Sequence, residues 1–147
     1  MAKNKRTTGL GKRIASVLGA TALLMGGAVA TAGPAAAGTD CAAGYHCVFW
    51  VGFGTAKHSY FNSDADFTDD YFDGGGSPVV VNDRVWAASN SSTSGYESHY
   101  YKDINYGGGL LFCVNPGSQV DSSRLEAWQG GQASSLKLRP STTIPCF

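Results

Sequence analysis

Four cysteines, Cys41, Cys47, Cys113 and Cys146, set the tightest limit on what this chain can become. All four follow a segment that reads as an export signal. Residues 1–13 carry Lys3, Lys5, Arg6, Lys12 and Arg13 and no acid, and the uncharged run IASVLGATALLMGGAVATAGPAAAG comes next. A basic start, a short apolar centre and small residues at Ala30/Ala32 and again at Ala35/Ala37 form the pattern of a secretory signal peptide. Cleavage is expected after Ala32 or Ala37, so 1–37 is read as leader and 38–147 as one mature domain. A transmembrane anchor is the alternative, but glycine and threonine dilute the apolar run. No lipoprotein motif precedes Cys41, because Thr39 and Asp40 stand where small apolar residues are needed. The expected localisation is therefore secreted and extracellular.

Export puts the cysteines in an oxidising setting, where an even count reads as two disulfides. Four cysteines allow three connectivities. Cys41 and Cys47 flank AAGYH, where Gly44 can supply the turn of a small ring; that favours Cys41–Cys47 and leaves Cys113 with Cys146. In the chain-entropy picture the small ring contributes roughly 2 kcal/mol and the large one nearer 4 kcal/mol. Neither spacing resembles a zinc motif. The mature part is small enough to need such staples, since a chain of this length buries only about two-thirds of its unfolded surface. It holds six basic and eleven acidic residues, a net of −5. That balance argues against nucleic acid or an anionic membrane as partner and suits a soluble, monomeric extracellular protein.

Helical spacing of apolar residues is found only in DSSRLEAW, 121–128, enough for about two turns. Elsewhere short runs rich in Val, Tyr, Phe and Trp alternate with Gly, Ser, Asn and Asp clusters. Strands are predicted at 45–51, 56–61, 79–81 running on through 85–89, 96–102, 109–114 and 133–139, which argues an all-β sandwich or barrel. The chain also runs the same course twice, over about 41–90 and 96–139, with NSSTSG as the boundary. HCVFWVGFGTAKHSYF then VNDRVWAASN is matched by HYYKDINYGGGLLFCV then GGQASSLKLR. This order, with His46 and His99 read as equivalent, suggests a duplication.

In the second half, Tyr101-x4-Tyr106-x-Gly108 sets two rings beside a bend. Glycine there suits a positive φ, and a hydroxyl of Ser134-Ser135 arrives later to bond backbone groups that the bend leaves open. This order of aromatics, glycine and late serine resembles the Greek-key motif of the βγ-crystallins, and VNDRVWAA resembles the end of the other half. With the leader and the Cys41–Cys47 ring, the chain is similar to small secreted bacterial proteins of the Streptomyces-type metalloproteinase inhibitor family, over nearly all of 41–138. The resemblance implies an all-β, βγ-crystallin-like sandwich of two Greek keys, here stapled by two disulfides.

Four functions follow for consideration. No G-x-S-x-G, H-E-x-x-H or P-loop is present and no thiol is left unpaired, so no enzyme is expected. The resemblance implies a calcium loop, Asn/Asp-Asn/Asp-x-x-Ser/Thr-Ser. Asn82-Asp83-Arg84-Val85-Trp86-Ala87 keeps the two leading oxygens, and Gly130-Gly131-Gln132-Ala133-Ser134-Ser135 keeps only the serines. Calcium takes six to eight oxygens, so Asn82, Asp83, Ser134 and Ser135 are weak candidates and no tight binding is expected. The run DADFTDDYFDGGG does not fit an EF-hand and reads as a solvated acidic loop. The family resemblance implies inhibition of an extracellular protease through a rigid loop, with Gly44 and Tyr45 or Asn105 and Tyr106 as candidate contacts. The inhibitors it resembles carry a tight ring in the second half, which is missing here. The alternative is a crystallin-type structural or ligand-binding module. Trp50, Trp86 and Trp128 would make a sugar-stacking face if exposed, but in a domain this small they are expected in the core.

Overall fold

The computed structural model describes Gly38, residues 40–74 and residues 76–147. The leader and both of its cleavage points fall on 1–37, outside the described residues. Seven strands follow in order: β1 His46–Phe49, β2 Lys57–Tyr60, β3 Ala87–Asn90, β4 Tyr96–Tyr101, β5 Leu110–Val114, β6 Gln119–Val120 and β7 Ser135–Pro140. They form two antiparallel sheets, β2-β1-β3-β6 and β5-β4-β7. Both disulfides are formed as expected, Cys41–Cys47 and Cys113–Cys146.

The two halves are interlocked. β6 belongs to the second half but pairs with β3 of the first, Ala88 opposite Val120. In return, Asp64 of the first half bridges Leu136 of β7, with N–H···O bonds of 2.8 Å in both directions. Each half therefore builds a hairpin and a final strand in its own sheet and lends its third segment to the other, which makes two Greek keys. The register defines equivalent positions. Phe49 faces Lys57 and Ala87, whereas Tyr101 faces Leu110 and Ser135. Hence Phe49 matches Tyr101, Ala87 matches Ser135, and His46 matches Ser98. The equivalence of His46 with His99 is corrected by one residue: the counterpart of His99 is Cys47. In a strand that single step moves a side chain to the other face.

Between the sheets lies the main core, including Val48, Tyr60, Phe67, Val81, Val85, Tyr100, Phe112, Val114 and Leu136. Each such side chain, when fully buried, contributes about 1.5–3 kcal/mol. A second, smaller cluster of Cys41, Cys47, Phe49 and Ala87, with Phe53 against it, covers the outer face of the first sheet. On the outer face of the second sheet the C-terminal segment does the same work. Phe147 donates its N–H to Cys113 and its carbonyl accepts from Asn115, both at 2.9 Å.

Three expectations of local structure fail for local reasons. Residues 121–128 form successive turns: Asp121 Oδ1 caps a first turn by accepting from Ser123 N–H, but the Glu126 N–H goes to Gln129 Oε1 at 2.8 Å and not to the Ser122 carbonyl, so the helix does not continue. Residues 79–81 give only a single bridge, Val80 to Tyr71, and the strand expected through 85–89 starts at Ala87. The two-residue β6 was not anticipated, being too short to carry a pattern.

The β4–β5 hairpin folds over as its aromatic and glycine order suggests. The Tyr101 and Tyr106 rings meet edge to face at 6.1 Å. Gly108 has φ +67°, and a Cβ there would stand 2.5 Å from the Asp103 carboxylate. The Ser135 hydroxyl donates to the Asp103 carbonyl at 2.7 Å and accepts the Tyr106 N–H at 3.2 Å. In the first half the matching residue is Ala87, so only one hairpin is pinned in this way. Ser135→Ala is expected to lower the unfolding free energy by about 1–3 kcal/mol by leaving a buried carbonyl and N–H without partners. Gly108→Ala should cost a similar amount through strain. Urea denaturation of each variant measures this, and an unchanged midpoint for both would remove the hydroxyl and the glycine as the pins.

Candidate functional site

Two regions where the halves meet hold the candidate residues. At the first, the loops 82–87 and 130–135 pair reciprocally. Asp83 donates its N–H to Ala133 at 3.0 Å and Gly131 donates to Val85 at 2.8 Å. Asp83 and Gly131 are equivalent positions, and both take positive φ, 57° and 67°. The loops nonetheless differ in side chains. Ser134 Oγ lies 3.3 Å from Asp83 Oδ1, and the Asn82 amide donates to Asp83 Oδ2 at 2.8 Å while its own Oδ1 is buried without a partner. At the mirrored place Trp86 lies over Gly130 and Gly131, where a Cβ would meet its indole at 2.7 and 2.8 Å.

Three of the four calcium candidates thus come together and one does not, because the Ser135 hydroxyl is committed to the hairpin. Asn82, Asp83 and Ser134 offer at most four side-chain oxygens, fewer than the six to eight calcium takes, and the indole closes the mirrored position. Backbone carbonyls or water would have to supply the remaining ligands. Calorimetric titration with calcium should give a dissociation constant weaker than about 10⁻⁵ M, the loose end of sensor sites; tighter binding would contradict this donor count.

The loop candidates are held apart on separate anchors. In the Cys41–Cys47 ring, Gly44 has φ +88° and donates to the Ser91 carbonyl at 2.7 Å. Ser91 returns its N–H to the Tyr45 carbonyl at 2.9 Å and its hydroxyl to the Cys41 carbonyl at 3.0 Å. Ala42, Ala43 and Tyr45 stay exposed, and Tyr45 meets the exposed Phe61 edge to face at 5.5 Å. Asn105 and Tyr106 sit in a 3-10 turn, Ile104–Tyr106, with φ of 55° and 62°, a conformation costly for side chains other than glycine. Asn105 is tied to the Ala65 carbonyl at 2.7 Å, and Lys137 lies over the Tyr106 ring at 5.1 Å.

The remaining polar groups are largely engaged in structure. In the acidic run, Asp64 Oδ1 accepts from Asp66 N, Asp66 Oδ1 from Thr68, and Asp70 Oδ2 from the Tyr60 hydroxyl. His99 pairs with Glu97 at 2.7 Å in the interior. Burial raises the Glu97 carboxyl, but hydrogen bonds from His99 and from the Thr142 N–H and hydroxyl outweigh it and leave the carboxyl lowered. His99 also lies close to the Cys113 and Cys146 sulfurs, which are joined to each other and are therefore not thiolate ligands. Contrary to the expectation of core tryptophans, Trp86 and Trp128 are 40% and 59% exposed, and Trp50 is half-buried. Trp86 lies on Gly130 and Gly131, which give it no apolar wall, whereas Trp50 packs one side against the main core.

The second region is a cleft of about 460 Å³ at the other junction of the halves. Its floor is His46, only 2% exposed, and its rim includes Phe61, Asn62, Thr93, Ser94 and Tyr96. Its residues come from separate segments of the chain, so no sequence motif marks it. His46 Nδ1 lies 2.6 Å from Ser98 Oγ, its equivalent in the other half. No carboxylate joins this pair among the described hydrogen bonds, and Ser98 is fully buried.

No protein-family model and no curated protein matches the chain. A solved structure described as "Evolution of the eye lens beta-gamma-crystallin domain fold" is similar to it, with a TM-score of 0.53 and 17% identity, covering 71% of this chain and 94% of that one. At this identity the likeness establishes the fold: an all-β βγ-crystallin-type sandwich of two Greek keys.

Burial holds the His46 imidazole down at about 4, from an ordinary 6.5. Between these values the unfolded chain binds a proton that the folded chain refuses. His46 therefore makes stability fall as pH drops from 6.5 to 4 and leaves it flat above. The slope approaches about 1.4 kcal/mol per pH unit. Comparing urea midpoints of the protein and His46→Gln from pH 7.5 to 4 isolates this; equal slopes in the two would exclude His46 as the titrating group.

Proposed function

We propose that this is an exported, non-enzymatic crystallin-type module that blocks an extracellular protease by presenting the Cys41–Cys47 ring as a rigid exposed loop. The observation that carries the reading is the docking of that ring. Three hydrogen bonds to Ser91 and the disulfide fix its backbone, while Ala42, Ala43 and Tyr45 remain open to solvent. A loop already held in one conformation loses little entropy when a protease cleft closes on it, and it resists being drawn through a cleavage cycle. The aromatic pair Tyr45–Phe61 supplies an anchor of the kind that dominates protein contacts. The turn at Asn105 and Tyr106 is the other rigid candidate. Two disulfides fit an oxidising, extracellular setting. Among the described residues no helix is long and apolar enough to cross a membrane. The net charge of the part after residue 37 is unsuited to nucleic acid.

A second reading, a structural or ligand-binding module without inhibitory activity, is favoured by the fold likeness, which extends to the scaffold alone. A panel of metallo-, serine and cysteine proteases separates the two. The protein is expected to slow a thermolysin-like metalloprotease at about micromolar concentration, and Cys41→Ser/Cys47→Ser should lose at least about tenfold, or about 1.4 kcal/mol. No inhibition anywhere in the panel leaves the second reading.

A further inference from the structure

We propose that the cleft floored by His46 binds a neutral saccharide, one sugar ring of a chain stacking on Phe61 and taking hydrogen bonds from the floor and rim. This does not rest on protease inhibition, although Gly44 and Phe61 border both the cleft and the exposed ring.

Size and lining agree on the ligand class. The cleft, at about 460 Å³, lies in the range of small-molecule sites. Its lining is Gly44, His46, Phe61, Asn62, Ser63, Thr93, Ser94, Tyr96 and Leu138, with no Asp, Glu, Lys or Arg among them. An ionic ligand would find no counter-charge there, whereas a neutral one need not provide any. Two aromatic rings stand at the rim with open faces, Phe61 at 63% and Tyr96 at 41% exposure. An exposed aromatic face beside neutral hydroxyl and amide groups is suited to a molecule with one apolar C–H face and hydroxyls around its edge, which is a pyranose.

The floor supplies the group that marks a built site. His46 is almost wholly buried, yet among the described residues its ring makes one hydrogen bond, between Nδ1 and Ser98 Oγ. The second nitrogen has no protein partner among the described hydrogen bonds, and the residue lines the cleft. In either tautomer Nε2 offers the cleft a hydrogen-bonding group, a donor when Nδ1 accepts from Ser98 and an acceptor when Nδ1 donates. Among the described residues the Asn62 amide and the Thr93 hydroxyl at the rim likewise make no hydrogen bond. Neighbouring groups are already engaged. Ser63 Oγ accepts from Leu138 N at 2.9 Å, and the Ser94 hydroxyl bonds Ser92 at 3.0 Å. Three unengaged polar groups, on His46, Asn62 and Thr93, thus lie where the aromatic faces are, and the Ser98 hydroxyl holds the imidazole in place.

The test is a ¹⁵N NMR titration of the secreted protein with three neutral hexasaccharides, cellohexaose, chitohexaose and maltohexaose, and with oligogalacturonate as the charged comparison. Saturable shifts at His46, Phe61, Asn62 and Tyr96 are expected with at least one neutral chain and not with oligogalacturonate. Phe61→Ala should weaken that binding about tenfold. Asn62→Ala should weaken it less while leaving the thermal midpoint unchanged, because both side chains are exposed. Absence of saturable shifts with all three neutral chains overturns the proposal. So do shifts centred on Trp86 and Trp128, preference for the charged chain, or full retention of binding by Phe61→Ala. A result in which protease inhibition fails but the neutral sugar binds would support this site and reject only the inhibitory reading.

Discussion

The exchange of third segments between the two halves is the contact on which the rest of the structure depends. β6 closes the sheet of the first half, and the bridge at Asp64 extends the sheet of the second. Without its partner, each half would have a three-stranded sheet with one bare edge and one uncovered apolar face. A sheet hydrophobic on one face must bury that face against another layer. The exchange satisfies backbone groups on both edges and brings Val48, Ala88, Val120, Tyr100 and Leu136 into one core. Both disulfides act on the outer faces of the sandwich. The Cys41–Cys47 ring covers Phe49 and Ala87 on one outer face, and Cys113–Cys146 holds the C-terminal segment against the other.

Much of this was legible in the sequence because it rests on short-range chemistry. The aromatic and glycine order of 101–108 told of a folded-over hairpin, since only glycine accepts both the φ of +67° and the proximity of Asp103 at position 108. A late serine was expected to bond the open backbone, and Ser135 does so. Cysteine spacing and the turn at Gly44 favoured the pairing that is found. What was not legible depends on side chains met across long distances. A two-residue strand such as β6 has no period. The bond from Glu126 N–H to Gln129 Oε1 ends an apparent helix after one turn, and pattern alone does not reveal it.

The register error between His46 and His99 has the same origin. Both stand beside cysteines and aromatics, so a comparison by order aligns them. Only pairing with Ala87 and Ser135 shows that they face opposite sides of their sheets. The site candidates divide in the same way. Asn82, Asp83 and Ser134 are drawn together because the loops that carry them are equivalent, while Ser135, one residue on, faces the hairpin. The tryptophans were misplaced because residue type was weighed without neighbours. Trp86 lies on Gly130 and Gly131, and a pair of glycines gives an indole a flat seat at the surface and no enclosing wall.

The departures from internal symmetry are the more informative feature. Ser135 against Ala87 pins one hairpin and leaves the other to its smaller apolar cluster. Ser134 against Trp86 gives one loop junction oxygens and closes the other with a ring. Ser98 against His46 puts a hydroxyl and an imidazole in contact at the junction, where two identical residues would have met. Packing alone does not ask for that last pair, because burying an imidazole without a full set of partners costs free energy that an apolar side chain would avoid. The compensation available on the protein side is the single bond to Ser98. The other nitrogen is turned to a cleft whose rim bears two open aromatic faces. A symmetric scaffold that gives up stability at one junction, and does so beside a cleft between its halves, has the form of a framework adapted around a contact from outside.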